Sequence, residues 1–151
     1  MSDSVQLPVL QKPSAVAGVF NRIFGFLVGL GIGPSYMQLL QVRGRKTGRI
    51  YSSPVNLLQL GGKLYLVAPR GRTQWVRNSE VTGEVLLKRG NTERKYRLRP
   101  VPDAEKPEIL KLYLDSYKSA VQRFFPVRAG SSAESFGQIA RSYPVFELLP
   151  F

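Results

Sequence analysis

From Pro34 onward the apolar runs of this chain are short, and most end at a glycine-bearing turn signal. That pattern predicts a small barrel of short strands. Tyr36 to Val42 reads as a strand, the GRKTG loop at 44 to 48 turns the chain, and Arg49 to Leu60 reads as a second strand ending at Gly61-Gly62. A third strand is expected from Lys63 to Ala68. Glu84 to Arg89 and Thr92 to Val101 form a hairpin across Gly90-Asn91, with Tyr96 and Leu98 alternating with charged residues. Between them, Thr73 to Val81 reads as a short helix capped by Thr73.

Helices frame these strands. Phe20, Ile23, Phe24 and Leu27 share one face of an amphipathic helix expected from about Ser14, its N-cap, to Leu30, within residues 1–33. The uncharged run from Ile23 to Val42 is not a transmembrane span, because glycines and Pro34 break it and its apolar core is too short. The helix face is either core or an interfacial membrane foot, with Lys12 and Arg22 near headgroups. Pro102-Asp103 opens a further helix to about Phe125, carrying Ile109, Leu110, Tyr113, Leu114, Tyr117 and Val121 at helical spacing. Ser131 or Ser132 caps a last short helix to Ser142, and Tyr143 to Leu149 reads as a final strand. A chain of 151 residues with 43% apolar side chains fits one α+β, mainly β, domain over 1–151.

The chemistry is bounded by what is missing. With no cysteine and no histidine, disulfides, thiolate nucleophiles, the Ser-His-Asp arrangement, the common zinc sites and imidazole base catalysis are excluded, and no metal site is expected. The lack of cysteine and of a leader favours a cytoplasmic protein, with peripheral contact on the inner membrane face if the N-terminal helix lies there. If the chain is an enzyme, a bound organic cofactor is expected to supply the reactivity.

The ligand is expected to be an anion. The net charge is +12, and between Asp3 and Glu80 there is no carboxylate, yet that stretch holds Lys12, Arg22, Arg43, Arg45, Lys46, Arg49, Lys63, Arg70, Arg72 and Arg77. Most of these cations fall in two glycine-containing loops, QVRGRKTGR at 41 to 49 and APRGRTQWVRN at 68 to 78. The first loop lacks Walker A spacing, so a nucleoside triphosphate is not indicated. Trp75, the only tryptophan, reads as core, as a stacking surface, or as both. Asn78 lies one helical turn later on the same face, where it can bond a ligand or cap backbone. The hairpin from Lys88 to Arg99 offers a rival: Arg94, Lys95, Arg97 and Arg99 alternate with Tyr96 and Leu98, as in a nucleic-acid binding surface or a solvated barrel face.

The succession LLQVRGRKTGR, SSPVN, GGKLYLVAPRG, QWVRN, a basic hairpin and YPVFEL resembles the deazaflavin-dependent nitroreductase and quinone reductase family, over roughly residues 15 to 150. The resemblance implies a split β-barrel of the FMN-binding type, with an N-terminal helix and C-terminal helices packed on it. It also implies coenzyme F420, whose tail carries a phosphodiester and glutamates, as hydride donor to an electron-poor organic acceptor such as a quinone, nitro compound or activated enone. Carried over by motif, Arg45, Lys46 and Thr47 would hold the tail, and Ser52, Ser53 and Pro54 would line the pocket. Val67, Ala68, Pro69 and Arg70 would meet the ring or its linker, and Gln74, Trp75, Val76, Arg77 and Asn78 would close the site. Tyr113 and Tyr117 are the candidate proton donors. Two other readings stay open, an FMN enzyme on the same barrel and a non-enzymatic deazaflavin carrier.

Overall fold

The computed structural model describes residues 36–151. The helix expected from Ser14 to Leu30, and with it the membrane-foot reading, lies outside the described residues. The strands are β1 (Met37–Arg43), β2 (Ile50–Asn56), β3 (Leu58–Leu60), β4 (Lys63–Val67), β5 (Glu84–Arg89), β6 (Thr92–Pro100) and β7 (Val145–Pro150). The helices are α1 (Gln74–Thr82), between β4 and β5, and α2 (Lys106–Val121), after β6. All strands join one antiparallel sheet in the order β2-β1-β5-β6-β7-β4-β3. The strands at its two edges, β2 and β3, are separated in the chain only by Leu57, so the sheet must curl until its edges meet. The result is a mainly β split barrel, the expected fold.

Strand period explains the layers. On β4, Leu66 faces Leu40, Val42, Val85, Leu87, Tyr96 and Leu148 in one core, while Tyr65 and Val67 face the other way onto α2. There Ile109, Leu110, Tyr113 and Leu114 bury the apolar stripe of α2, joined by Phe125, Phe136 and Tyr143. Leu110 and Leu114 are fully buried, so truncating either to alanine costs about 2–5 kcal/mol.

Several boundaries differ from the sequence reading for local reasons. The expected second strand divides at Leu57, whose N–H turns to the Tyr36 carbonyl (2.8 Å). Thr73 precedes α1 but makes no side-chain capping bond, whereas the other end stops on Gly83, whose positive φ of 72° lets its N–H reach the Ser79 carbonyl. The helix expected to run to Phe125 leaves helical geometry at Tyr117 (φ −122°, ψ 29°), and a 3-10 turn at Gln122–Phe124 follows Val121. The last helix is two separate 3-10 turns, Ala133–Phe136 and Ala140–Ser142. Ser132 makes no capping bond, and its hydroxyl meets that of Ser135 instead (3.2 Å).

Candidate active site

The loop joining β1 to β2 is a closed turn. Gly44 N–H donates to the Arg49 carbonyl (2.6 Å), and Gly48 N–H donates back to the Gly44 carbonyl (3.0 Å). Gly44 lies close under the Tyr51 ring: a Cβ there would come within 2.5 Å of it and push the ring aside. The Tyr51 hydroxyl meets that of Thr47 (3.3 Å), which also accepts from the Arg49 N–H (3.2 Å). Thr47 therefore shapes the turn that presents Lys46 and Arg49 to solvent.

Arg45 is fixed from the neighbouring helix. Its backbone N–H and its Nη1 both donate to Asn78 Oδ1 (3.0 and 2.8 Å), and Nη1 also donates to Gln74 Oε1 (2.9 Å). Both partners are uncharged. The guanidinium is thus oriented but not neutralised, and Lys46 and Arg49 beside it have no carboxylate partner among the described residues. Arg43 is held in the same way, donating to the Gly48 carbonyl (2.7 Å). Such fixed, unneutralised cations suit charge-assisted bonds to phosphate or carboxylate oxygens.

The expected residues divide by role. Asn78 is buried and spends its carbonyl on Arg45, so it braces the loop. Val67 and Ala68 are buried, and Val76 is fully buried against Ala68 and Phe146. Trp75 is half-buried, 6.2 Å from the Phe146 ring. Ser52, exposed on the edge strand β2, accepts from Gln41 Nε2 (3.3 Å), with Ser53 and Pro54 half-buried after it. Pro69 and Arg70 lie half-buried in the turn after β4. Arg77 Nε donates to the Arg72 carbonyl (3.1 Å), and Arg72 is itself neutralised by Glu80 at 2.6 Å, which removes it from the free cations of the sequence reading.

Tyr113 and Tyr117 sit where α2 covers the other end of β2. At about 3.3 Å per residue, that end lies roughly 20 Å from the basic loop. Tyr113 is buried, and desolvation, then the nearby Tyr117, push its phenol well above its ordinary value, against a hydrogen bond with Asn56. Tyr117 donates to the Leu57 carbonyl, and burial likewise raises its proton affinity. Both stay protonated through the physiological range. Sequence reasoning missed Tyr51, which covers Gly44. Arg123 and Phe124, which the sequence reading did not single out, lie together, with Arg123 Cζ 5.0 Å from the Phe124 ring centroid.

A family model, that of the F420H(2)-dependent quinone reductases, matches residues 21–129. The chain belongs to this family. Its cofactor is accordingly coenzyme F420, and its activity is F420-dependent oxidoreduction. No curated protein matches the sequence. Among solved structures, an F420-H2 dependent reductase (FDR-A) is 19% identical, with a TM-score of 0.50 over 76% of this chain and 94% of its own. A NimC/NimA family protein from Clostridium acetobutylicum is 16% identical, with a TM-score of 0.52 over 84% of this chain and 77% of its own. The heme storage protein HutZ from Vibrio cholerae is 12% identical, with a TM-score of 0.53 over 77% of this chain and 82% of its own. At these identities the likeness establishes the shared barrel and no more.

Proposed function

We propose that the chain binds reduced F420 by its anionic tail at the 44–49 loop and reduces an electron-poor organic acceptor, a quinone, nitro compound or activated enone. The observation that carries this reading is Arg45, oriented by the oxygens of Gln74 and Asn78 yet left with its full charge. The residues fit such a tail: Lys46 and Arg49 add two solvent-facing cations, and Gly44 and Gly48 let the backbone close tightly beneath them. When bound, the reduced deazaflavin supplies a hydride.

The chain's own work is to hold and orient. Arg45 and Lys46 grip the tail. Ser52, Ser53 and Pro54 on β2 and Pro69 and Arg70 after β4 line the pocket between tail and ring. Trp75, braced on Phe146, closes the apolar side and excludes water. An acceptor that takes a hydride needs one proton, and no carboxylate or imidazole of residues 36–79 can give it. Solvent is the proposed source, relayed through Tyr117, which is half-buried and lines an open cleft with Tyr36, Gln38 and Ser116. Tyr113, buried behind it, positions Tyr117 edge-on at 5.3 Å.

The test is a titration of Trp75 fluorescence with F420, FMN and single-stranded DNA, followed by turnover of reduced F420 with a quinone and with a nitroaromatic. Tight quenching by F420 alone is expected. Tight binding of FMN or DNA without F420 would overturn the reading.

A further inference from the structure

We propose that Arg70, Arg123 and the ring of Phe124 form a binding site for a carboxylate carried by the acceptor substrate. The proposal rests on the function above and names the class of acceptor it would take. Arg70 lies in the turn after β4 and Arg123 in the 3-10 turn after α2, yet both guanidiniums approach one ring: Arg70 Cζ is 5.9 Å and Arg123 Cζ 5.0 Å from the Phe124 centroid.

Two cations at one ring repel. Burial, then the charge of Arg70, pull the proton affinity of Arg123 down, although the residue as a whole stays exposed, and burial does the same to Arg70. No carboxylate among the described residues pairs with either. Arg70 Nε is buried with no hydrogen-bond acceptor among the described residues, whereas Arg45, Arg72, Arg77 and Arg99 each donate to an oxygen. A buried donor left unpaired is costly, and a cation-π contact does not satisfy it. One carboxylate would remove both faults, accepting from Arg70 and Arg123 and cancelling their repulsion.

The platform is fixed. The Tyr143 hydroxyl donates to the Phe124 carbonyl (2.6 Å), and Phe125 stacks on Tyr143 at 4.5 Å. Gln122 ties down the following loop, donating to the Val127 carbonyl (2.8 Å) and accepting from the Ala129 N–H (2.7 Å). Phe124 is half-buried, an apolar ring beside the two charges, which suits a flat aromatic acid. The cofactor tail also carries carboxylates, but the 44–49 loop already supplies cations for it, so the acceptor is the assigned source.

The test is calorimetric titration of the full chain with naphthalene-2-carboxylate and naphthalene-2-carboxamide, with and without F420. The acid is expected to bind about tenfold or more tightly than the amide, the scale of one charge-assisted hydrogen bond. Arg123→Gln should abolish that preference and Arg123→Lys should retain it, with circular dichroism confirming that both fold. With reduced F420, the selectivity for a carboxylated over a neutral quinone should fall about tenfold in Arg123→Gln. Equal binding of acid and amide by a wild-type chain that binds F420 would overturn this proposal alone. A tenfold rise in the F420 dissociation constant on Arg123→Gln would overturn it too, by giving the site to the cofactor tail. Failure of the wild type to bind F420, with the acid preference intact, would overturn the cofactor reading and with it the assignment to an acceptor.

Discussion

The 44–49 loop and the β5–β6 hairpin are both rich in cations, but their charges are used differently. On the hairpin, Lys95 pairs with Glu84 (3.2 Å), and Arg99 is shared between Glu147 (2.8 Å) and Glu105 (3.2 Å). Lys95 and Arg97 also lie over the Phe151 ring. Among the described residues, Arg45 in the loop meets only neutral oxygens, and Lys46 and Arg49 meet no carboxylate. Charge density therefore does not mark a site by itself. What marks one is charge held in place by groups that leave it uncancelled, so that an incoming anion finds cations already oriented and little is lost in ordering them.

The sharpest way to break this comparison is to remove the brace. Asn78→Ala frees the Arg45 backbone and leaves its guanidinium held by Gln74 alone, so the dissociation constant for F420 should rise about 100-fold and stability should fall by about 1–3 kcal/mol. Fluorescence titration and denaturant melts measure the two effects, and a binding loss below threefold would show that Arg45 needs no support.

Removing the charges themselves comes next. Arg45→Ala and Lys46→Ala should each weaken F420 binding about 10- to 100-fold, with the maximal rate at saturating cofactor much less changed, as expected when uniform binding is lost. Repeating the titration at high salt should shrink both effects, because screening has already weakened the wild-type contacts.

Smaller still is a surface pair away from either region. Lys111, then the Gly130 N–H, hold the Asp115 carboxyl below its ordinary value. A depressed carboxylate stabilises the fold above its unfolded pKa, and that gain is lost as pH falls through the folded value. Asp115→Asn should thus lower the melting temperature slightly at neutral pH and not at all near pH 2, while turnover is unchanged. A turnover loss of a thousandfold would move the chemistry to this side of the molecule.

The smallest expected effect sharpens the comparison from the other side. Arg94→Ala and Arg97→Ala should change F420 binding by less than about twofold, since exposed charges at a distance are screened. If they abolish binding of single-stranded nucleic acid while the loop variants bind F420 normally, the hairpin is the functional surface.

Much of this is legible in the sequence alone. Strand period and glycine turns announced the barrel, because alternation and positive φ are local properties of the chain. The carboxylate-free run announced an anionic ligand, because charge is counted residue by residue, and the ordered motifs from 43 to 78 announced the family. What the sequence left open was how each polar group is spent. Arg72 and Arg45 look alike in the chain, but folding places Glu80 against one and Asn78 against the other. Tyr117 reads as a helical residue and a candidate proton donor, but the chain does not show that its hydroxyl meets the Leu57 carbonyl or that the helix breaks there. Arg70 and Arg123 become neighbours only because β4 and the end of α2 pack together. Pairing and burial depend on distance through space, which no local period encodes, so only the tertiary structure decided which of this chain's many cations are free to bind.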